Sequence, residues 1–64
     1  MNLTVAIFLA KDFAEHYYEH AQLISAIKKD NNFEIVFDIG FLQTKELKIT
    51  IIDSRIMKVE TLIN

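Results

Sequence analysis

Asp12-Phe-Ala-Glu-His-Tyr-Tyr-Glu-His-Ala-Gln-Leu-Ile-Ser-Ala-Ile-Lys-Lys-Asp30 is the stretch on which the fold turns. Asp12 is a good N-cap, and Glu15, three residues on, can reach back to complete a capping-box-like pair. At about 100° per residue, Phe13, Tyr17, Ala21 and Ile24 fall on one side, with Ala14, His20 and Ile27 beside them. Glu15, Glu19, Gln22 and Lys29 point away. Lys28 and Lys29 sit where cations favour the negative end of a helix dipole. Asn31 or Asn32 can take the left-handed cap conformation. The spacing predicts one amphipathic helix over about 12–30.

Upstream, Leu3-Thr-Val-Ala-Ile-Phe-Leu9 is compact and β-prone. Leu3, Val5, Ile7 and Leu9 alternate on one face while Ala6 and Phe8 make the other partly apolar, the pattern of an interior strand. Downstream, Phe33, Ile35, Phe37 and Ile39 share a face, with Glu34 and Asp38 opposite, in a strand that runs over 33–41. Gly40 closes it or marks a bulge. Residues 43–46 read as a turn. Leu47, Ile49 and Ile51 form a second inward face. A last strand then carries Met57, Val59 and Ile63 on one side and Ile56, Lys58, Glu60 and Leu62 on the other.

The expectation is an α+β fold of two layers in the order β-α-β-β-β. One amphipathic helix packs on a mainly antiparallel four-stranded sheet, and residues 1–64 form a single domain. If the first two strands are adjacent and parallel, their crossover is right-handed. A three-residue loop at 53–55 pairs Ile51 with Met57, Ile49 with Val59 and Lys48 with Glu60. A two-residue loop sets Ile49 against Lys58 and Leu47 against Glu60, mixing core with charge. The longer loop is therefore preferred. For the preceding hairpin two registers both work, Phe41 opposite Leu47 or Asp38 opposite Lys48.

Composition narrows the function classes. With no cysteine, disulfides and thiolate zinc sites are excluded. A chain of 64 residues hides only about 60% of the surface its unfolded form exposes, so association is a natural source of added stability. The hydrophobic fraction is 52% and the mean hydropathy +0.20, so surplus apolar side chains must lie on a surface. The formal charge of −2 comes without a run of five like charges, which speaks against a basic tail or an acidic, DNA-mimicking face. The apolar start lacks a preceding cation and a small-residue cleavage site, so it reads as a strand rather than a signal peptide. A cytoplasmic location is expected. Residues of AT-rich codons (Ile, Lys, Asn, Phe, Tyr, Met) number 29 against 7 for Gly, Ala, Arg and Pro, which points to a low-GC genome such as that of certain bacteria or their viruses.

Candidate chemistry is sparse. His16-Tyr-Tyr-Glu19-His20 resembles the inverted zincin pattern H-x-x-E-H, which implies a metal held by two histidines on one helix face and a glutamate base. The likeness covers five residues, and the family's second-helix acidic ligand and substrate chamber have no counterpart. A border position beside the apolar stripe is the plainer reading of His16 and His20. Neither Ser25 nor Ser54 sits in a nucleophile elbow, and one glycine cannot build a phosphate-cradling loop. Small tautomerases use an N-terminal proline, where this chain has Met1-Asn2. No enzyme activity, cofactor or metal is expected.

Lys45, Lys48, Arg55 and Lys58 gather near one hairpin, but Glu46, Asp53 and Glu60 interleave with them, whereas a phosphate-neutralising patch needs net positive charge. Tyr17 is expected to pack in the core and Tyr18 to be an exposed aromatic of the kind enriched at interfaces. Ala6, Phe8, Val36, Leu42, Ile52, Ile56 and Leu62 share the parity that points away from the helix. The expected interface therefore comprises Phe8, Tyr18, Val36, Leu42, Ile52, Ile56 and Leu62. It suits a non-enzymatic protein–protein interaction module, a homodimer that inhibits a larger protein in the manner of small virus- or mobile-element-encoded proteins. The alternatives are an antitoxin-like, nucleic-acid-associated regulator and, more remotely, a metal-dependent hydrolase using His16 and His20. No membrane association is expected.

Overall fold

A computed structural model describes residues 1–63. Helix α1 (Leu3–Tyr17) is followed by strands β1 (Gln22–Lys29), β2 (Asn32–Asp38), β3 (Lys45–Ile52) and β4 (Arg55–Ile63). The strands form a four-stranded antiparallel meander in the order β1-β2-β3-β4. The chain is thus an α+β protein in which one helix covers one face of a four-stranded sheet.

The order of elements differs from expectation at the N-terminal end. Residues 3–9, expected as a strand, are helical, and 22–29, expected as the second half of the helix, form β1. There is accordingly no parallel crossover. The cap is Asn2 rather than Asp12: its Oδ1 accepts from the Val5 N–H at 2.9 Å, and its carbonyl accepts from the Ala6 N–H at 3.0 Å. A seven-residue apolar run fits both a two-residue and a 3.6-residue period. Here Leu3, Ala6, Ile7, Ala10, Phe13 and Ala14 continue one helical stripe past Leu9, where a strand would end. The Tyr18 N–H closes the last turn on the Ala14 carbonyl at 2.9 Å. Leu23, Ile24 and Ile27 are then free to follow their β preference in a hairpin with β2. In that hairpin Lys29 faces Asn32, with Asp30 at a φ of 31° in the two-residue turn.

The core is asymmetric in residue size. Ala6, Ala10 and Ala14 line the buried side of α1, and Phe33, Ile35, Phe37, Leu47, Ile49 and Ile51 rise from β2 and β3 to meet them. Alanine at every fourth residue lets the helix backbone approach the sheet closely, so the sheet supplies nearly all the volume. Helix α1 rests on β2 and β1 and less on β3, and β4 lies beyond this main contact.

The β2–β3 register departs from expectation, and the β3–β4 register departs only at its turn. The β2–β3 pairing sets Phe33 against Ile51, Ile35 against Ile49 and Phe37 against Leu47. It is neither of the two registers expected, because the loop is six residues long (39–44) and starts earlier than the sequence suggested. At the other hairpin the turn has two residues, Asp53 and Ser54, both at positive φ (52° and 63°), as a type I′ turn requires. Met57 then bulges out of the ladder, so Ile56 rather than Met57 faces Ile51. The bulge absorbs the odd residue and restores Ile49 opposite Val59 and Lys48 opposite Glu60, the pairs that the three-residue loop was chosen to give.

Candidate interaction surface

The β2–β3 loop is tied at its base. Asp38 Oδ1 accepts from the Gly40 N–H at 2.9 Å and from the Lys45 N–H at 3.4 Å, while the Ile39 N–H donates to the Lys45 carbonyl at 2.8 Å. A Cβ at Gly40 would overlap the Gln43 carbonyl oxygen, so only glycine lets the chain fold this tightly back on itself. With its base clamped, the loop throws its tip outward. Phe41 is 91% exposed and Leu42 is 97% exposed, two adjacent large apolar side chains held in solvent.

The second unpartnered region is the outer edge of β4, with which no strand pairs among the described residues. Met57 and Val59 are 61% and 40% exposed there. Val59 lies on the helix side of the sheet, opposite Ile49, whereas Lys58 and Glu60 lie on the open side, opposite Thr50 and Lys48.

The open side of the sheet is largely polar. Glu34 lies between Lys29 (3.2 Å) and Lys48 (3.6 Å), and its side chain is only 17% exposed. The hydrogen bond from Lys29 is the main cause that holds the Glu34 carboxyl below its ordinary value of 4.5; the charges of Lys29 and Lys48 add to it and partial desolvation opposes them. Lys58 pairs with Glu60 at 3.6 Å on the same side. The cations on this face (Lys29, Lys48, Arg55, Lys58) are matched by Glu34, Asp38, Glu46 and Glu60, so no excess of positive charge exists to neutralise phosphates.

The seven residues expected to form one interface are distributed over the molecule. Val36, Ile52 and Leu62 do lie on the open side, but Glu34, Lys48, Thr50 and Glu60 intervene. Ile56 packs against the core on the helix side, and Phe8 points outward from α1. Leu42 is at the loop tip. The two tyrosines exchange their expected roles. Tyr18 is half-buried against the core, while Tyr17 is 65% exposed, with its ring 4.7 Å from Phe13 and 4.8 Å from His16. Ala6, grouped by parity with the open face, is fully buried under the helix. The shifts of Ala6, Phe8 and the two tyrosines follow from the exchange of strand and helix between residues 3 and 29, and that of Ile56 from the two-residue turn and the bulge at Met57. Phe41 was overlooked because the strand reading carried β2 through it; Gly40 followed by two apolar residues and Gln43-Thr44 was the available sign of a tip.

Since α1 ends at Tyr17, His20 lies past it and the two histidines do not share a helix face. No group of three or more His, Cys, Asp or Glu side chains is placed to hold a metal among the described residues. Shallow depressions of about 310 Å³, between Met1 and the turns at 30–31 and 53–54, and about 380 Å³, along Phe8, Lys11, Asp12 and Glu15, are lined by no histidine. No helix among the described residues is long and apolar enough to cross a membrane. No family model, curated protein or solved structure matches the chain.

Proposed function

We propose that this chain is a non-enzymatic, cytoplasmic protein-binding module that docks on a larger protein through the tip of its β2–β3 loop. The observation that carries this reading is the near-complete exposure of Phe41 and Leu42 on a clamped loop. Burying each such side chain is worth about 1.5–3 kcal/mol. A loop already fixed by Asp38 and Gly40 loses little further freedom on binding, so more of that gain is expressed as affinity. Adjacent charges favour a protein over a lipid surface: Asp38, Lys45 and Glu46 offer no basic ring for anionic headgroups. In the wider form of the proposal, the docked loop blocks its partner's activity, as a small virus- or mobile-element-type inhibitor would.

A photo-crosslinking residue at position 42 tests the reading, with the same residue at Glu15 on the outer face of α1 as control. In lysate of the host cell, position 42 is expected to yield one discrete heavier adduct that Glu15 does not, and Phe41→Ser is expected to abolish it. Identical adducts at both positions, no adduct, or partition of the chain into vesicles would overturn it.

A further inference from the structure

We infer that a second copy of this chain pairs antiparallel with β4 about a two-fold axis at Val59, so that Lys58 of each copy faces Glu60 of the other. The inference concerns a different surface from the loop tip, though it shares the reading of the chain as an interaction module.

An edge strand offers a row of unpaired N–H and C=O groups, a template for another strand. The bulges do not distinguish the two edges, since each is the third residue of its strand; charge does. β1 carries Lys28 and Lys29 and no acidic residue, so pairing with its own copy offers no opposite-charge contact, whereas β4 alternates Lys58 with Glu60. On β4 the bulge at Met57 lies near the turn, and the ladder with β3 is regular from Lys58 onward. Beyond the main helix contact, the helix-side Val59 remains 40% exposed.

Charge selects the register. Facing residues in a sheet point to the same side, so pairing β4 with itself one residue out of step sets Lys58 or Glu60 against Val59. Axes at Lys58 or at Glu60 set like charges directly against each other, which is unfavourable. An axis at Val59 avoids both faults. It joins Val59 to its own copy on the helix side and places two opposite-charge pairs, Lys58 with Glu60 and Glu60 with Lys58, on the open side. Together with the Lys58–Glu60 contact within each chain at 3.6 Å, this makes an alternating square of four charges. Both helices then lie on the same side of one continuous eight-stranded sheet. Met57 of each copy faces Thr61 of the other at the ends of the match.

Sedimentation equilibrium of the full chain between ~10 and ~200 µM is expected to resolve a monomer–dimer equilibrium. Lys58→Glu alone and Glu60→Lys alone each set like charges across the axis twice, and each is expected to weaken self-association at least about tenfold. An equimolar mixture of the two variants creates two opposite-charge pairs and is expected to restore the dimer as a heterodimer. Far-UV circular dichroism establishes that each variant is folded. If either is not, the wild-type chain decides by itself: exchange of those amides among residues 58–60 that point away from β3 should slow as concentration rises. A wild-type chain monomeric throughout, a dimer indifferent to both variants, or folded variants that fail to associate when mixed would overturn the inference. The double variant Phe41→Ser/Leu42→Ser is expected to keep the dimer, so loss of docking and loss of pairing are read separately.

Discussion

On the helix side of the sheet, Phe33, Ile35, Phe37, Leu47, Ile49 and Ile51 are at most 6% exposed and meet only alanines and other apolar side chains. On the open side the sheet carries Glu34 between Lys29 and Lys48, and separately Lys58 beside Glu60 on β4, in ion pairs of 3.2 to 3.6 Å. The first side is held by volume, and a vacancy there has nothing to refill it. The second is held by charge in contact with water, where each pair contributes little and is readily replaced. Stability is therefore concentrated in one layer, while the other is free to vary in sequence.

Ile49→Ala should break this contrast most severely. It removes a fully buried side chain between β3 and α1 and should cost about 2–5 kcal/mol in urea denaturation, much of the stability of so small a protein. Ala10→Leu tests the same layer from the helix. With no room under α1, it should lift the helix and cost about 1–3 kcal/mol, whereas Lys11→Leu, on the exposed side, should change the urea midpoint far less. Ser54→Gly acts outside both layers, on a side chain held at a φ of 63°, and should stabilise by about 0.5–1 kcal/mol, read as a rise in melting temperature.

Glu34→Gln should have the smallest effect at neutral pH, and it sharpens the contrast by its pH dependence. The Glu34 carboxyl lies below its ordinary value of 4.5 in the folded chain, so the unfolded chain takes up its proton first as acid is added. Its contribution is present above that ordinary value and is lost as pH falls through the lowered folded one. Urea midpoints measured between pH ~7 and ~3 should fall less steeply for Glu34→Gln than for wild type. Equal slopes would mean that the Lys29–Glu34–Lys48 cluster adds nothing.

Strong alternation made the second half of the chain legible. Phe33, Ile35, Phe37, Leu47, Ile49 and Ile51 are readable as inward-facing because the polar Glu34, Lys48 and Thr50 alternate with them, and the pairs Ile49–Val59 and Lys48–Glu60 follow from keeping charge off the core. The first half was not legible in the same way. Leu3 to Leu9 fits either period, and Asp12-x-x-Glu15 imitates a helix start in the middle of a helix that Asn2 had already opened. Leu23 to Ile27 has apolar residues at helical spacing yet is needed to pair with β2, a tertiary demand that local preference does not express. Misplacing these two segments carried Phe8, Tyr17 and Tyr18 to the wrong surroundings. The loop tip was half visible: Leu42 was singled out, but Phe41 was not.

Ile24 and Met57 are each one residue more than their ladders need, and each falls in an outer strand rather than in β2 or β3. Deleting Met57 would leave Ile56 and Lys58 alternating as in an unbroken strand, and deleting Ile24 would do the same for Leu23 and Ser25. Loss of a codon at either place is thus silent for every side chain that follows, while the same loss inside β2 or β3 would turn the rest of that strand inside out. Length drift in the gene has two safe harbours, and both lie at the rim of the sheet.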